Sequence, residues 1–132
     1  GHEQLHARLT GSDRIVSMEG INARDLTPAM IPEPIDLLVS DISFVSITKV
    51  LTAQLALCAS KAEAVILFKP QFEVGRDHVG KGGIVTDEAA IGTALADVIA
   101  FVEAQGFSHR TSVLSPIAGG GGNVETVLVF GR

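Results

Sequence analysis

The stretch Ala64-Val65-Ile66-Leu67-Phe68-Lys69-Pro70 constrains this chain more than any other. A sharply bounded apolar run of this length reads as a strand buried on both faces, as in a parallel α/β sheet. The strand must stop at Lys69, because Pro70 has no N–H to give a ladder and biases the residue before it toward extended backbone. In an open α/β sheet, the carboxyl edge of the strands is where ligands bind. An ammonium stranded there is either a paired structural charge or a working group.

The elements around this strand follow from pattern. Ile15 to Met18 reads as a short strand, followed by a turn at Glu19-Gly20 and Asn22. Pro28, Pro32 and Pro34 break any helix before a second strand at Ile35 to Ser40. Residues 46 to 59 place Ile47, Val50, Leu51, Gln54, Leu55 and Cys58 on one helical face. After the Lys69 strand comes a charged, Gly-rich loop from Glu73 to Gly83. Thr86 is positioned to N-cap the next helix, whose stripe is Ile91, Leu95, Val98, Ile99 and Val102 and whose end is Gly106. Phe107 to Leu114 and Glu125 to Phe130 are the last strands, joined by a loop at Gly119 to Gly122. No helix separates these two, so they are predicted antiparallel.

The fold class is therefore α/β: part of a doubly wound, mostly parallel sheet with an antiparallel last strand. Parallel strands ending at Asp41 and Lys69 present both side chains at one edge. A last strand running the other way starts at that edge, with Glu125. Three ionisable residues far apart in sequence are predicted to converge.

Composition narrows the function classes. The 132 residues allow one domain, 46% hydrophobic, with a net charge of −5, so any contact with nucleic acid must be local. Six Phe and no Trp or Tyr argue against a platform for stacked bases. Cys58, the one cysteine, has no partner for an internal disulfide and reads as a small core residue of a cytoplasmic protein. No apolar run reaches the ~18 residues of a membrane span. The four histidines lack metal-ligand spacing, so no metal is predicted. The opening Gly1-His2-Glu3-Gln4-Leu5-His6 reads as a chain that begins in the middle of something.

Two motifs are decoys. Gly75-Arg76-Asp77-His78-Val79-Gly80-Lys81 matches seven positions of a phosphate-binding P-loop, but Gly82 stands where Ser or Thr should ligate Mg²⁺. The Gly119–Gly122 run opens no helix, so it is no dinucleotide fingerprint. Ser43 and Ser46 lack a nucleophile-elbow context.

Several segments carry a resemblance: Ser40-Asp41-Ile42-Ser43-Phe44, Lys69-Pro70-Gln71-Phe72-Glu73-Val74-Gly75-Arg76, Val79-Gly80-Lys81-Gly82-Gly83, Ser115-Pro116-Ile117 and Gly122-Asn123-Val124-Glu125. Together with Asn22-Ala23-Arg24 they resemble the TlyA, or hemolysin A, family of FtsJ-like, S-adenosylmethionine-dependent ribosomal RNA methyltransferases. The resemblance implies 2′-O-methylation of ribose through a Lys-Asp-Lys-Glu tetrad, with Asp41, Lys69 and Glu125 as its last three members. It implies S-adenosylmethionine contacts from Asn22, Ala23, Asp41 and Ser43, and RNA contacts from Arg76 and Lys81. The tetrad's first Lys, the Gly-rich cofactor loop and the S4-type RNA-binding domain have no counterpart in residues 1–132. The chain thus resembles a partial methyltransferase domain with an incomplete cofactor pocket, expected to be inactive alone. The expected partners are ribosomal RNA and a ribosomal subunit.

The chemistry fits that implication. A ribose hydroxyl is a poor nucleophile, and the enzyme must align it and remove its proton as the bond forms. A lysine, with an ordinary pKa of about 10.4, serves as base only where burial or a neighbouring cation lowers that value. Two other readings compete. One is a non-catalytic RNA- or cofactor-binding module using Arg76 and Lys81. The other, a membrane-lytic protein, lacks both a spanning segment and a basic amphipathic helix.

Overall fold

A computed structural model describes all of residues 1–132. Its centre is a four-stranded sheet of β1 (Ile35–Ser40), β2 (Cys58–Phe68), β3 (Ser108–Leu114) and β4 (Thr126–Gly131), in the order β1-β2-β4-β3. β1 and β2 are parallel, while β4 runs antiparallel to both β2 and β3. The mostly parallel sheet with an antiparallel last strand is therefore present, and β4 fills the slot between β2 and β3.

Four short or long helices connect these strands: α1 (Ile47–Val50), α2 (Thr52–Ala56), α3 (Pro70–Glu73) and α4 (Glu88–Ala104). α4 buries Ala94, Val98 and Val102, with Ile91, Leu95 and Ile99 packed beside them, as the stripe predicts. The core lies between these helices and one face of the sheet, where Leu55, Ile66, Phe68, Leu128 and Phe130 are wholly buried. Burying such a side chain contributes about 1.5–3 kcal/mol.

The other face of the sheet is open. Register puts Val39, Val65 and Val129 in one row and Leu67, Val127 and Val113 in the next. Val39 remains 69% exposed and Val113 54% exposed. The burial on both faces predicted for the apolar run of β2 is not found: only the alternate residues Ala64, Ile66 and Phe68 are fully buried.

Local boundaries differ from the sequence reading for identifiable reasons. Ile15 to Met18 forms no strand, because no ladder partner pairs with it, and Val16 stands in solvent. The 46–59 helix is two short helices meeting at Leu51, whose ψ of 0° departs from helical geometry. It ends before Cys58, where β2 begins in register with Ile35. α4 is capped by Asp87 rather than Thr86: Asp87 Oδ1 accepts from Ala90 N–H at 3.0 Å. That bond and His78 beside it hold the Asp87 carboxyl below its ordinary pKa. Gly106 follows the helix at φ +92°, a left-handed position that favours glycine.

Candidate active site at the carboxyl edge of the sheet

β1 ends at Ser40 and β2 at Phe68, so Asp41 and Lys69 leave the sheet side by side. Lys69 is extended, at φ −114° and ψ 105°, as a residue before proline must be, and Pro70 then starts α3. Lys69 Nζ lies 2.6 Å from Asp41 Oδ1 and donates to Ser43 Oγ at 3.0 Å. The lysine side chain is 13% exposed and that of Asp41 72%. The ammonium is thus tucked in while its counter-charge reaches into solvent.

Glu125 stands one residue before β4 rather than on it. Phe68 pairs with Thr126, so Lys69 and Glu125 leave the same edge on neighbouring strands. They form no ion pair within 4.0 Å, however: Lys69 pairs with Asp41 and donates to Ser43. Glu125 is 6% exposed. Its Oε2 accepts from Gln71 Nε2 at 3.2 Å. Gly119 lies directly over this carboxylate, and a Cβ there would collide with it. The Gly119–Gly122 segment is a 3-10 turn rather than a loose hairpin, held by Asn123, whose Nδ2 donates to Gly120 O and to Gly83 O at 2.9 Å. Asn123 Oδ1 also accepts from Val85 N–H at 3.0 Å, tying the two glycine-rich segments together.

Glu73, which sequence reasoning assigned only to a loop, organises the next layer. Its carboxylate accepts from Ser46 Oγ at 2.7 Å and from Ile47 N–H at 2.9 Å, joining α3 to the start of α1. Burial raises its pKa above the usual carboxylate range, and the bonds from Ile47 and Ser46 oppose that rise. The sequence signal was a Ser at a helix start and a Glu just past a strand end, too common to stand out.

Phe44 was missed as well. It is 89% exposed and adopts φ +69°, a conformation uncommon for a bulky residue. Its ring centroid is 5.0 Å from that of Phe72. Both rings line a cavity of about 470 Å³ together with Lys49, Gln71 and Arg76. Few aromatics suggested no stacking surface, yet two of the six Phe meet at this edge.

The remaining sequence candidates are distributed around the edge. Asn22 caps a 3-10 turn at Ala23–Asp25, accepting from Arg24 N–H at 3.1 Å. Gln54 Nε2 donates to Ala23 O at 2.6 Å, which pins that turn to α2. No hydrogen bond links Asn22 or Ala23 to Asp41, Ser43 or Lys69. Arg76 and Lys81 are exposed on the 3-10 turns Arg76–His78 and Lys81–Gly83 and form no ion pair. No group of three or more His, Cys, Asp or Glu is placed to hold a metal ion. No helix is long and apolar enough to cross a membrane.

This geometry has counterparts. The model of the FtsJ-like methyltransferase family matches residues 1–132. The chain is 39% identical over 97% of its length to the 16S/23S rRNA (cytidine-2′-O)-methyltransferase TlyA of Mycobacterium tuberculosis, covering 48% of that protein. It is 37% identical over 98% of its length to hemolysin A of Brachyspira hyodysenteriae, covering 55% of it. A crystal structure described as a hemolysin from Lactococcus lactis superimposes with a TM-score of 0.91 at 32% identity, over 99% of this chain and 63% of that one. The chain spans about half the length of the curated relatives it matches. With its sheet order and site edge already in place, the chain belongs to the FtsJ-like methyltransferase family.

Proposed function

We propose that the whole protein transfers a methyl group from S-adenosylmethionine to a ribose 2′-hydroxyl of ribosomal RNA. Residues 1–132 form one part of the methyltransferase domain, and the open face of the sheet is where the remainder packs. The observation that carries the reading is the Lys69–Asp41 pair at 2.6 Å, set at the carboxyl edge of parallel strands.

The edge fits part of the cofactor's chemistry. Ser40 Oγ is buried without a partner at the end of β1, and the Asp41 carboxylate beside it is open to a cation. Asp41 and Ser43 would lie toward the sulfonium and Asn22 and Ala23 toward the adenine. The bound cofactor supplies an electrophilic methyl. Lys69 holds the reacting hydroxyl by hydrogen bonding and orients it toward the methyl. Asp41 and Ser43 fix the Lys69 nitrogen in place. Glu125 supplies a second negative charge at the same edge. Phe44 and Phe72 offer a ring surface to a nucleobase, with Lys49 and Arg76 for phosphates in the same cavity and Lys81 on the neighbouring turn. A ribosomal RNA substrate supports reading the protein as cytoplasmic.

The test is Lys69→Ala in the whole protein, assayed with ribosomal RNA and radiolabelled cofactor. Methyl transfer is expected to disappear while calorimetry still detects cofactor binding. Surviving transfer removes Lys69 from the reaction.

A further inference from the structure

Gln71 is in an unusual position. Its Nε2 donates to Glu125 Oε2 at 3.2 Å, and its Oε1 is buried with no partner at all. An ionised carboxylate only accepts hydrogen bonds, so the amide cannot be turned round without setting oxygen against oxygen. The contact with Glu125 therefore fixes the amide at the cost of an unpaired buried acceptor. Such a cost, about 1–3 kcal/mol, is not what a residue chosen for stability alone would carry.

The neutrality of the donor matters as much as its position. A Lys or Arg at 71 would hold Glu125 equally well but cancel its charge. A carboxamide holds it and leaves the charge intact. No ion pair compensates Glu125, and Gly119 closes over its side chain, so Gln71 is its one side-chain hydrogen-bond partner. α3 supplies this clamp directly from the strand end: Lys69 caps the helix and Gln71 follows two residues later.

We propose that Gln71 is a positioning residue for Glu125, holding its carboxylate in one orientation at the sheet edge from which Lys69 also leaves. The inference rests on the methyl-transfer reading of that edge. Gln71 acts through Glu125 and need not touch the reacting atoms.

Gln71→Leu in the whole protein tests it kinetically. The lost hydrogen bond to a charged group is expected to lower kcat about 10- to 100-fold with KM for RNA within about twofold. Gln71→Glu, which sets two carboxylates together, is expected to lower kcat further. Unchanged kcat in Gln71→Leu overturns the proposal, as does a loss confined to KM. A wild-type protein with no methyl transfer rejects the methyl-transfer reading instead. The proposal then still stands or falls on NMR of this chain: the Gln71 side-chain amide signals should shift on Glu125→Gln. Signals that do not move show that no clamp exists.

Discussion

Lys69 and Asp41 form a pair whose two ends live in different surroundings. The nitrogen is mostly buried at the strand end, and the carboxylate 2.6 Å away is largely in solvent. Such a pair holds a side chain in place more than it stabilises a fold, because solvent screens the exposed partner. Asp41→Asn is accordingly expected to change unfolding free energy by less than about 1 kcal/mol. In the whole protein the same change should lower methyl transfer by about 10- to 100-fold, since a charged hydrogen bond to Lys69 is lost. Denaturant titration alongside single-turnover kinetics separates the two effects. A large stability loss would make the pair structural.

The Glu73 carboxylate gives a pH dependence of defined sign. Burial raises its pKa, with the Ile47 and Ser46 bonds opposing. The native state therefore holds this proton more tightly than the unfolded chain. The corresponding stability is fully present below the ordinary carboxyl value of about 4.3 and is lost as pH rises through the raised folded value. Glu73→Gln lacks the titration. The stability of the wild-type chain relative to this variant should fall as pH rises from about 4 toward neutral. Urea unfolding at several pH values measures it, and a flat difference refutes the assignment.

Gly119 is glycine for reasons of space. Its φ of −78° is ordinary, but a Cβ would strike the Glu125 carboxylate. Gly119→Ala must push either Glu125 or the turn aside, an overpacking cost of about 1–3 kcal/mol. Thermal unfolding reads that cost. Gly120→Ala, where a Cβ meets nothing within 4 Å, is the control and should be close to neutral.

Phe44 sets function against stability. At φ +69° its backbone is strained, so Phe44→Gly should leave the fold as stable or slightly more so. Losing one base-stacking ring should weaken RNA binding by the whole protein by about 1–3 kcal/mol. Filter binding at fixed salt tests this, and unchanged affinity removes Phe44 from the RNA surface.

The open sheet face makes a prediction for this chain by itself. Val39 and Val113 lie in adjacent apolar rows with no covering layer. A patch of that kind promotes association. Sedimentation should show concentration-dependent self-association, reduced by Val39→Lys. A strictly monomeric wild-type chain would show that the face is well solvated.

The order of residues alone specifies the strand that stops at Lys69, the α4 stripe and the antiparallel close of the sheet. These follow from local rules: proline cannot extend a ladder, apolar spacing fixes the buried helix face, and adjacent strands without a crossover helix run antiparallel. It also led Asp41, Lys69 and Glu125 to one edge, because strand direction alone decides where each chain segment leaves the sheet.

Which of these groups touch depends on how the elements pack in three dimensions. Lys69 bonds Asp41 and Ser43, while Glu125 bonds Gln71. The meeting of Gln71 with Glu125 spans 54 residues of chain, and that of Glu73 with Ser46 spans 27. Partners of that kind depend on register and helix placement, to which no local pattern is sensitive. Ile15–Met18 failed as a strand for the same reason: an extended apolar segment becomes a strand only where another strand is free to pair with it. The apolar run stops at Lys69-Pro70 as local rules require, but only one face of its strand is fully buried, because no layer within residues 1–132 packs on the other.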